Sequence, residues 1–161
     1  MIVHATSVGM PVGDQCVGVL CVGSSGNGKS DLALRLIDTC PTAQTRLIAD
    51  DQTMLAAIGG NLIASPPPRI AGLLEVRGVG VIQIEHAAET AIALIVECRD
   101  PRCDLERIPR HYTKTLCGIA VPAIGVKAFE ASAPSKVRLA LRAVVKGLFR
   151  GDTALSEDRN V

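Results

Sequence analysis

Gly23, Ser24, Ser25, Gly26, Asn27, Gly28, Lys29 and Ser30 follow one another at the spacing G-x-x-x-x-G-K-S. Glycines at these positions let backbone N–H groups turn inward around a polyphosphate, while the lysine ammonium and serine hydroxyl reach the terminal phosphates and a Mg²⁺. The spacing predicts an ATP-type nucleotide site. Such a loop works with a carboxylate, usually at the end of an apolar strand, that helps to hold the metal. The chain offers three candidates: the pair Asp50 and Asp51, then Glu75, then Glu97. Glu97 closes the run Leu94-Ile95-Val96 and is the formal match, although Arg99 beside it offers an ion pair instead. In the Asp pair, mutual repulsion and a nearby cation would separate the two titrations, suiting one as metal partner or orienter and the other as proton acceptor. Periodicity does not choose among the three.

These groups must be carried on a frame. Residues 16–22 read as a buried strand running into the loop, and residues 31–38 as a helix whose N-terminus faces the phosphates. Residues 2–8 read as a strand, with a turn over 9–14 completing a hairpin. The short apolar run 46–49 delivers the Asp pair. Residues 53–58 and 62–64 flank Gly59-Gly60-Asn61 as a second hairpin, which the triple proline 66–68 ends. Strands are expected over 81–84 and, most strongly, over 91–97. Residues 99–112 read as a long polar loop, 134–149 as a helix, and 151–161 as a disordered tail. On that last helix Arg138, Arg142, Lys146 and Arg150 fall four apart as a basic ridge, beside an apolar one of Val137, Leu141, Val144 and Leu148.

With 161 residues, 48% of them hydrophobic, the chain suits one compact domain over residues 1–150. A net charge of +1, with one Tyr, two Phe and no Trp, argues against a nucleic-acid partner. The apolar runs are strand-length rather than membrane-spanning, and the first residues lack a signal peptide's pattern, so a cytoplasmic protein without a membrane partner is expected. Six cysteines without a C-x-x-C pair, several of them in apolar runs, read as reduced packing residues.

Taken together, His4, the phosphate loop, Leu47-Ile48-Ala49-Asp50-Asp51, Leu74-Glu75-Val76-Arg77-Gly78-Val79-Gly80-Val81-Ile82 and Glu106-Arg107 resemble the HPr kinase/phosphorylase family, over about residues 3 to 126. The resemblance implies the family's catalytic domain without its separate N-terminal domain: an α/β P-loop kinase fold with a mixed sheet and flanking helices. It implies a Mg²⁺- and ATP-dependent protein serine kinase acting on the phosphocarrier HPr of the phosphotransferase system, and a homo-oligomer of hexameric form. Carried over by position, Lys29 serves the β/γ-phosphates, Ser30 and Glu75 the Mg²⁺ with Asp50 beside them, and Asp51 the proton transfer, while His4 and Arg107 stand near the reacting phosphate. In the family the same carboxylate serves the reverse reaction, in which inorganic phosphate attacks phosphoserine and pyrophosphate leaves. The chain departs from the pattern after Gly125-Val126, where many members carry a Gly-Arg-Asn loop associated with dephosphorylation and this chain has residues 127–136 of different character. A sensor module that binds ATP without transfer, or a P-loop kinase of a small molecule, would share the loop. The Asp pair with Glu-Val-Arg-Gly separates this chain from general small-molecule kinases.

Overall fold

A computed structural model describes residues 1–39 and 44–148. The expected tail, Arg150 of the basic ridge, Phe149 and Cys40 lie outside the described residues.

The chain runs β1 (Ile2–Val12), β2 (Gln15–Val22), α1 (Lys29–Asp38), β3 (Arg46–Ala49), β4 (Gln52–Ile58), β5 (Asn61–Ser65), β6 (Leu73–Val76), β7 (Gly80–Gln83), β8 (Thr90–Cys98), β9 (Tyr112–Leu116), β10 (Ile119–Val126) and α2 (Ala133–Val145). The α/β expectation holds, and the first hairpin is longer than expected. β1 continues through Gly9 and Pro11 to Val12, and only Gly13 and Asp14 turn. Gly13 supplies the positive φ of 62° that this turn needs. In a two-residue hairpin the pair closing the turn, Val12 and Gln15, exchanges the hydrogen bonds. Pro11, one residue back, therefore turns its donorless nitrogen away from β2, to an edge where pairing with β3 has already ended at Gly9.

The main sheet is mixed. β2 lies between antiparallel β1 and parallel β8, β8 is parallel to β10, and β9 closes the edge antiparallel to β10. On its far side β1 pairs with β3 and β4, and the β4–β5 hairpin returns to β8, closing β1, β2, β8, β5 and β4 into a ring. β6 and β7 form a separate two-stranded hairpin, and β7 is exposed along its length.

Both described α-helices cover one face of the sheet. Leu32, Ala33 and Leu36 of α1 and Ala133, Val137 and Leu141 of α2 bury into one core with Val8, Val19, Leu94 and Val96. A second core, of Leu20, Ile48, Leu55, Leu62 and Ile95, fills the other face and takes nothing from a helix. The Arg138 guanidinium donates to Leu36 O and Thr39 Oγ1 at 2.8 Å each, tying α2 to the carbonyl end of α1. One member of the basic ridge is thereby engaged within the fold. Leu148 lies beyond the end of α2 and is exposed rather than packed.

The parallel strands β2, β8 and β10 all end at one edge, and the loop after each is the place where open α/β sheets take their ligands.

Candidate active site

The phosphate loop leaves β2 at Gly23 with φ 142°, and a side chain there would meet Cys98 O at 2.6 Å. Only glycine lets the backbone pass this close to β8. Asn27 Nδ2 donates to the same Cys98 O at 2.9 Å, fastening the loop's crest. Gly28, left-handed at φ 84°, caps α1, which starts at Lys29. The eight loop residues are thus held by β2, β8 and α1 in one curl.

Lys29 is buried, and its Nζ donates to Gly23 O at 2.9 Å and Ser24 O at 3.2 Å and lies 3.1 Å from His4 Nε2. The partners are two backbone carbonyls and an imidazole nitrogen, and Lys29 makes no ion pair with a carboxylate among the described residues. A buried ammonium without a counter-charge is a standing anion site, because the desolvation already incurred is returned when an anion arrives.

Asp50 follows β3 and is 4% exposed. Its Oδ1 accepts from Ser30 Oγ and Thr6 Oγ1 at 2.7 Å each, and its Oδ2 from the Glu75 backbone N–H at 3.0 Å. One carboxylate thereby joins α1, β1 and β6. Asp51, the next residue, is left-handed at φ 63°, with a side chain 64% exposed. His4 Nδ1 stands 3.0 Å from both Asp51 O and Asp51 Oδ1. Because the Lys29 ammonium can only donate, the network assigns His4 Nε2 as acceptor and puts the ring proton on Nδ1, toward Asp51. Asp51, His4 and Lys29 form one chain of contacts, and Asp50, Ser30 and Glu75 a second beside it. The adjacent aspartates separate by environment, one buried and accepting three hydrogen bonds, with a lone pair of Oδ2 still open, the other exposed.

Glu97 stands elsewhere. Along β8, Leu94, Val96 and Cys98 face α1, so the period of two sends Ile95 and Glu97 to the opposite face. There the Glu97 carboxylate meets Lys114 Nζ at 2.5 Å, Tyr112 OH at 2.8 Å and the Arg99 guanidinium. The candidate metal carboxylate is thus an internal ion-pair partner, and Asp50 holds the place beside Ser30. Arg107 is exposed in the loop before β9, and no hydrogen bond or ion pair joins it to the phosphate loop among the described residues. Thr6 is the residue that the sequence reading passed over. Its signal is a hydroxyl inside an apolar strand, which must find a partner once buried.

The Glu97 cluster has a clean spectroscopic reporter. Burial pushes the Glu97 carboxyl up, but hydrogen bonds from Lys114 and Tyr112 and the Arg99 charge outweigh it and hold the group below its ordinary value. Burial and the bond to Glu97 push the Tyr112 phenol up to about 12. A raised pKa favours the protonated phenol, so this contribution to stability is complete below about pH 10 and is lost as pH rises through about 12. Tyr112 is the only tyrosine and there is no tryptophan. Absorbance at the phenolate band, with circular dichroism confirming the fold, should titrate near 12, and Glu97→Gln should return the midpoint toward 10. A midpoint near 10 in the unsubstituted chain would refute the cluster.

Residues 3–137 match the family described as the HPr Serine kinase C-terminal domain. The chain belongs to that family. Among curated members, the HPr kinase/phosphorylase of Limosilactobacillus reuteri (strain DSM 20016) is 36% identical over 121 residues, covering 68% of this chain and 37% of that protein. The one from Clostridium tetani is 46% identical over 68 residues, 42% of this chain and 21% of that protein. The chain therefore spans between a fifth and just over a third of the length of these relatives. The solved structure of the HPr(Ser) kinase/phosphatase from Coxiella burnetii superposes with a TM-score of 0.69 at 26% identity, over 91% of this chain and 95% of that one. The mixed sheet with a phosphate loop at its centre is thus the fold of this kinase family.

Proposed function

We propose that this domain binds ATP with Mg²⁺ and transfers the γ-phosphoryl group to a serine of the phosphocarrier HPr. The observation that carries the reading is the buried Lys29 ammonium, held by the phosphate loop without an ion-paired carboxylate among the described residues and linked through His4 to the open carboxylate of Asp51. The family membership and the kinase names of the relatives support the choice of HPr.

The donor set suits a hard cation. Ser30 Oγ, the Asp50 carboxylate and the exposed Glu75 carboxylate are all oxygen donors, and a Mg²⁺ shared with substrate phosphates needs only one or two protein carboxylates. When bound there, Mg²⁺ would neutralise β/γ-phosphate charge. Lys29 orients the γ-phosphate and offsets its developing charge, and loop N–H groups bind the phosphates behind it. Asp51 accepts the proton of the incoming serine hydroxyl as its oxygen bonds to γ-phosphorus and the bond to the β-phosphate oxygen breaks, releasing ADP. His4 keeps Asp51 turned toward the reacting groups, and Arg107 would join from its loop when the partner docks. An enzyme working on ATP and HPr is expected in the cytoplasm, as a homo-oligomer in which exposed Val79, Val81 and Ile82 of the β6–β7 hairpin offer apolar contact.

Intact-mass analysis of HPr after incubation with this protein, ATP and Mg²⁺ tests the reading. The expected gain is one phosphoryl group on a serine, and its loss after adding phosphate would extend the activity to phosphorolysis. No gain while ATP still binds would overturn the kinase in favour of an ATP sensor.

A further inference from the structure

The phosphate loop has two flanks. On one side β1 and β3 bring Asp50 to Ser30, and on the other β8 and β10 carry the loops beginning at Arg99 and Lys127. With the terminal phosphates at Lys29 and Ser30 and the Asp50 carboxylate occupying the first flank, the second flank is the side left for the nucleoside. A cavity of about 690 Å³ opens there, lined by Gly23, Ser24, Glu97, Arg99 and Lys114. Its wall at Glu97 faces away from α1, and its charged groups are engaged with one another.

Phe129 is placed differently. Its ring atoms Cζ and Cε1 lie 3.0 and 3.1 Å from where a side chain on Gly28 would begin, so the ring rests against the bare backbone of the loop at the start of α1. It is 55% exposed. The segment carrying it is clamped to the helix that bears Lys29 and Ser30: the Arg35 guanidinium donates to Ala128 O and, at 3.2 Å, to Glu130 O. Ala128 beside it is fully buried, and Glu130 N–H closes a turn onto Lys127 O at 3.1 Å. A half-exposed aromatic ring is therefore held beside the phosphate loop, on the flank away from Asp50. Tyr112, by contrast, is engaged with Glu97.

We infer that Phe129 is the platform on which the nucleobase of the bound nucleoside triphosphate stacks. The inference rests on the nucleotide reading of the phosphate loop and adds a residue that positions the base. Because every base presents a π-face, the platform supplies affinity without reading a hydrogen-bonding edge.

The test is calorimetric titration of the full chain with two magnesium-loaded probes, ATP and inorganic tripolyphosphate. Removing a stacking partner weakens binding by roughly 10- to 100-fold, so Phe129→Ala should lose ATP affinity to that extent and keep its tripolyphosphate affinity. Phe129→Tyr should retain ATP binding. Phe129→Leu, which keeps apolar bulk against Gly28 without an aromatic face, should behave like Phe129→Ala. Undiminished ATP affinity in Phe129→Ala would overturn the platform, as would equal losses for both probes, which would make Phe129 a prop of the loop alone. If the unsubstituted chain bound neither probe, the nucleotide reading itself would fall.

Discussion

Asp51→Asn is expected to lower phosphoryl transfer to HPr by about 10²- to 10⁴-fold, the range that a positioned proton acceptor contributes, while ATP affinity stays within a factor of about two. The amide keeps the size of the carboxylate and can still accept from His4 Nδ1, so what disappears is the capacity to take a proton. Asp51 is open to solvent on its side chain, and substitution there should leave stability within roughly 0.5 kcal/mol. Asp51→Gly separates the carboxylate from the backbone, because glycine adopts the observed φ of 63° without strain. It should be as inactive as Asp51→Asn and no less stable. Single-turnover transfer at saturating ATP gives the chemical step directly. Turnover equal to the unsubstituted chain in either variant would remove Asp51 from the mechanism.

Lys29→Met is expected to separate binding from stability. The ammonium is buried against two loop carbonyls and the His4 ring, so the nucleotide-free fold carries a desolvated charge that no carboxylate pairs with directly among the described residues. Exchanging a buried charge for an apolar group of similar length is often neutral or stabilising, here against the loss of hydrogen bonds to two loop carbonyls and His4. The nucleotide-free variant should melt no lower than the parent by more than a few degrees. Its affinity for ATP should fall by about 10²- to 10³-fold, the cost of truncating one partner of a desolvated charge pair. A thermal shift reads both at once. In the parent, ATP with Mg²⁺ at about a hundred times its dissociation constant adds about 2.7 kcal/mol, and in the variant the same concentration should add little. A full nucleotide-induced shift in Lys29→Met would show that the loop lysine does not hold the phosphates.

Much of this was written in local sequence. The phosphate loop needs glycine at positions of positive φ and a lysine and serine just inside a helix, and these requirements are consecutive in the chain, so residues 23–30 declare themselves. The second hairpin was equally legible, since Gly59 and Gly60 both adopt positive φ between alternating strands. The first turn lies four residues beyond the place that Gly9 and Pro11 suggest, because strand edges accommodate glycine and proline where no partner needs their hydrogen bonds.

The choice of carboxylate was different in kind. β3 and β8 each end an apolar run near an acidic residue, and nothing local distinguishes Asp50 from Glu97. The decision came from the order of the strands and the parity of each residue along its own strand. Glu97 sits on the strand directly beside β2 yet points to the face without helices, while Asp50 reaches Ser30 from beyond β1. A one-residue difference in phase reverses a side chain's face, and phase is fixed only when strands pair. In the same way, that His4 bridges Lys29 to Asp51 and that Phe129 leans on Gly28 are contacts between segments 25 to 101 positions apart in the chain. The sequence by itself determined which chemistry the loop can do, because that depends on neighbours in the chain. Which carboxylate stands beside Ser30, which one His4 reaches and which ring lies against Gly28 was decided by the tertiary structure, because those groups meet only when β1, β2, β3, β8 and β10 are laid side by side.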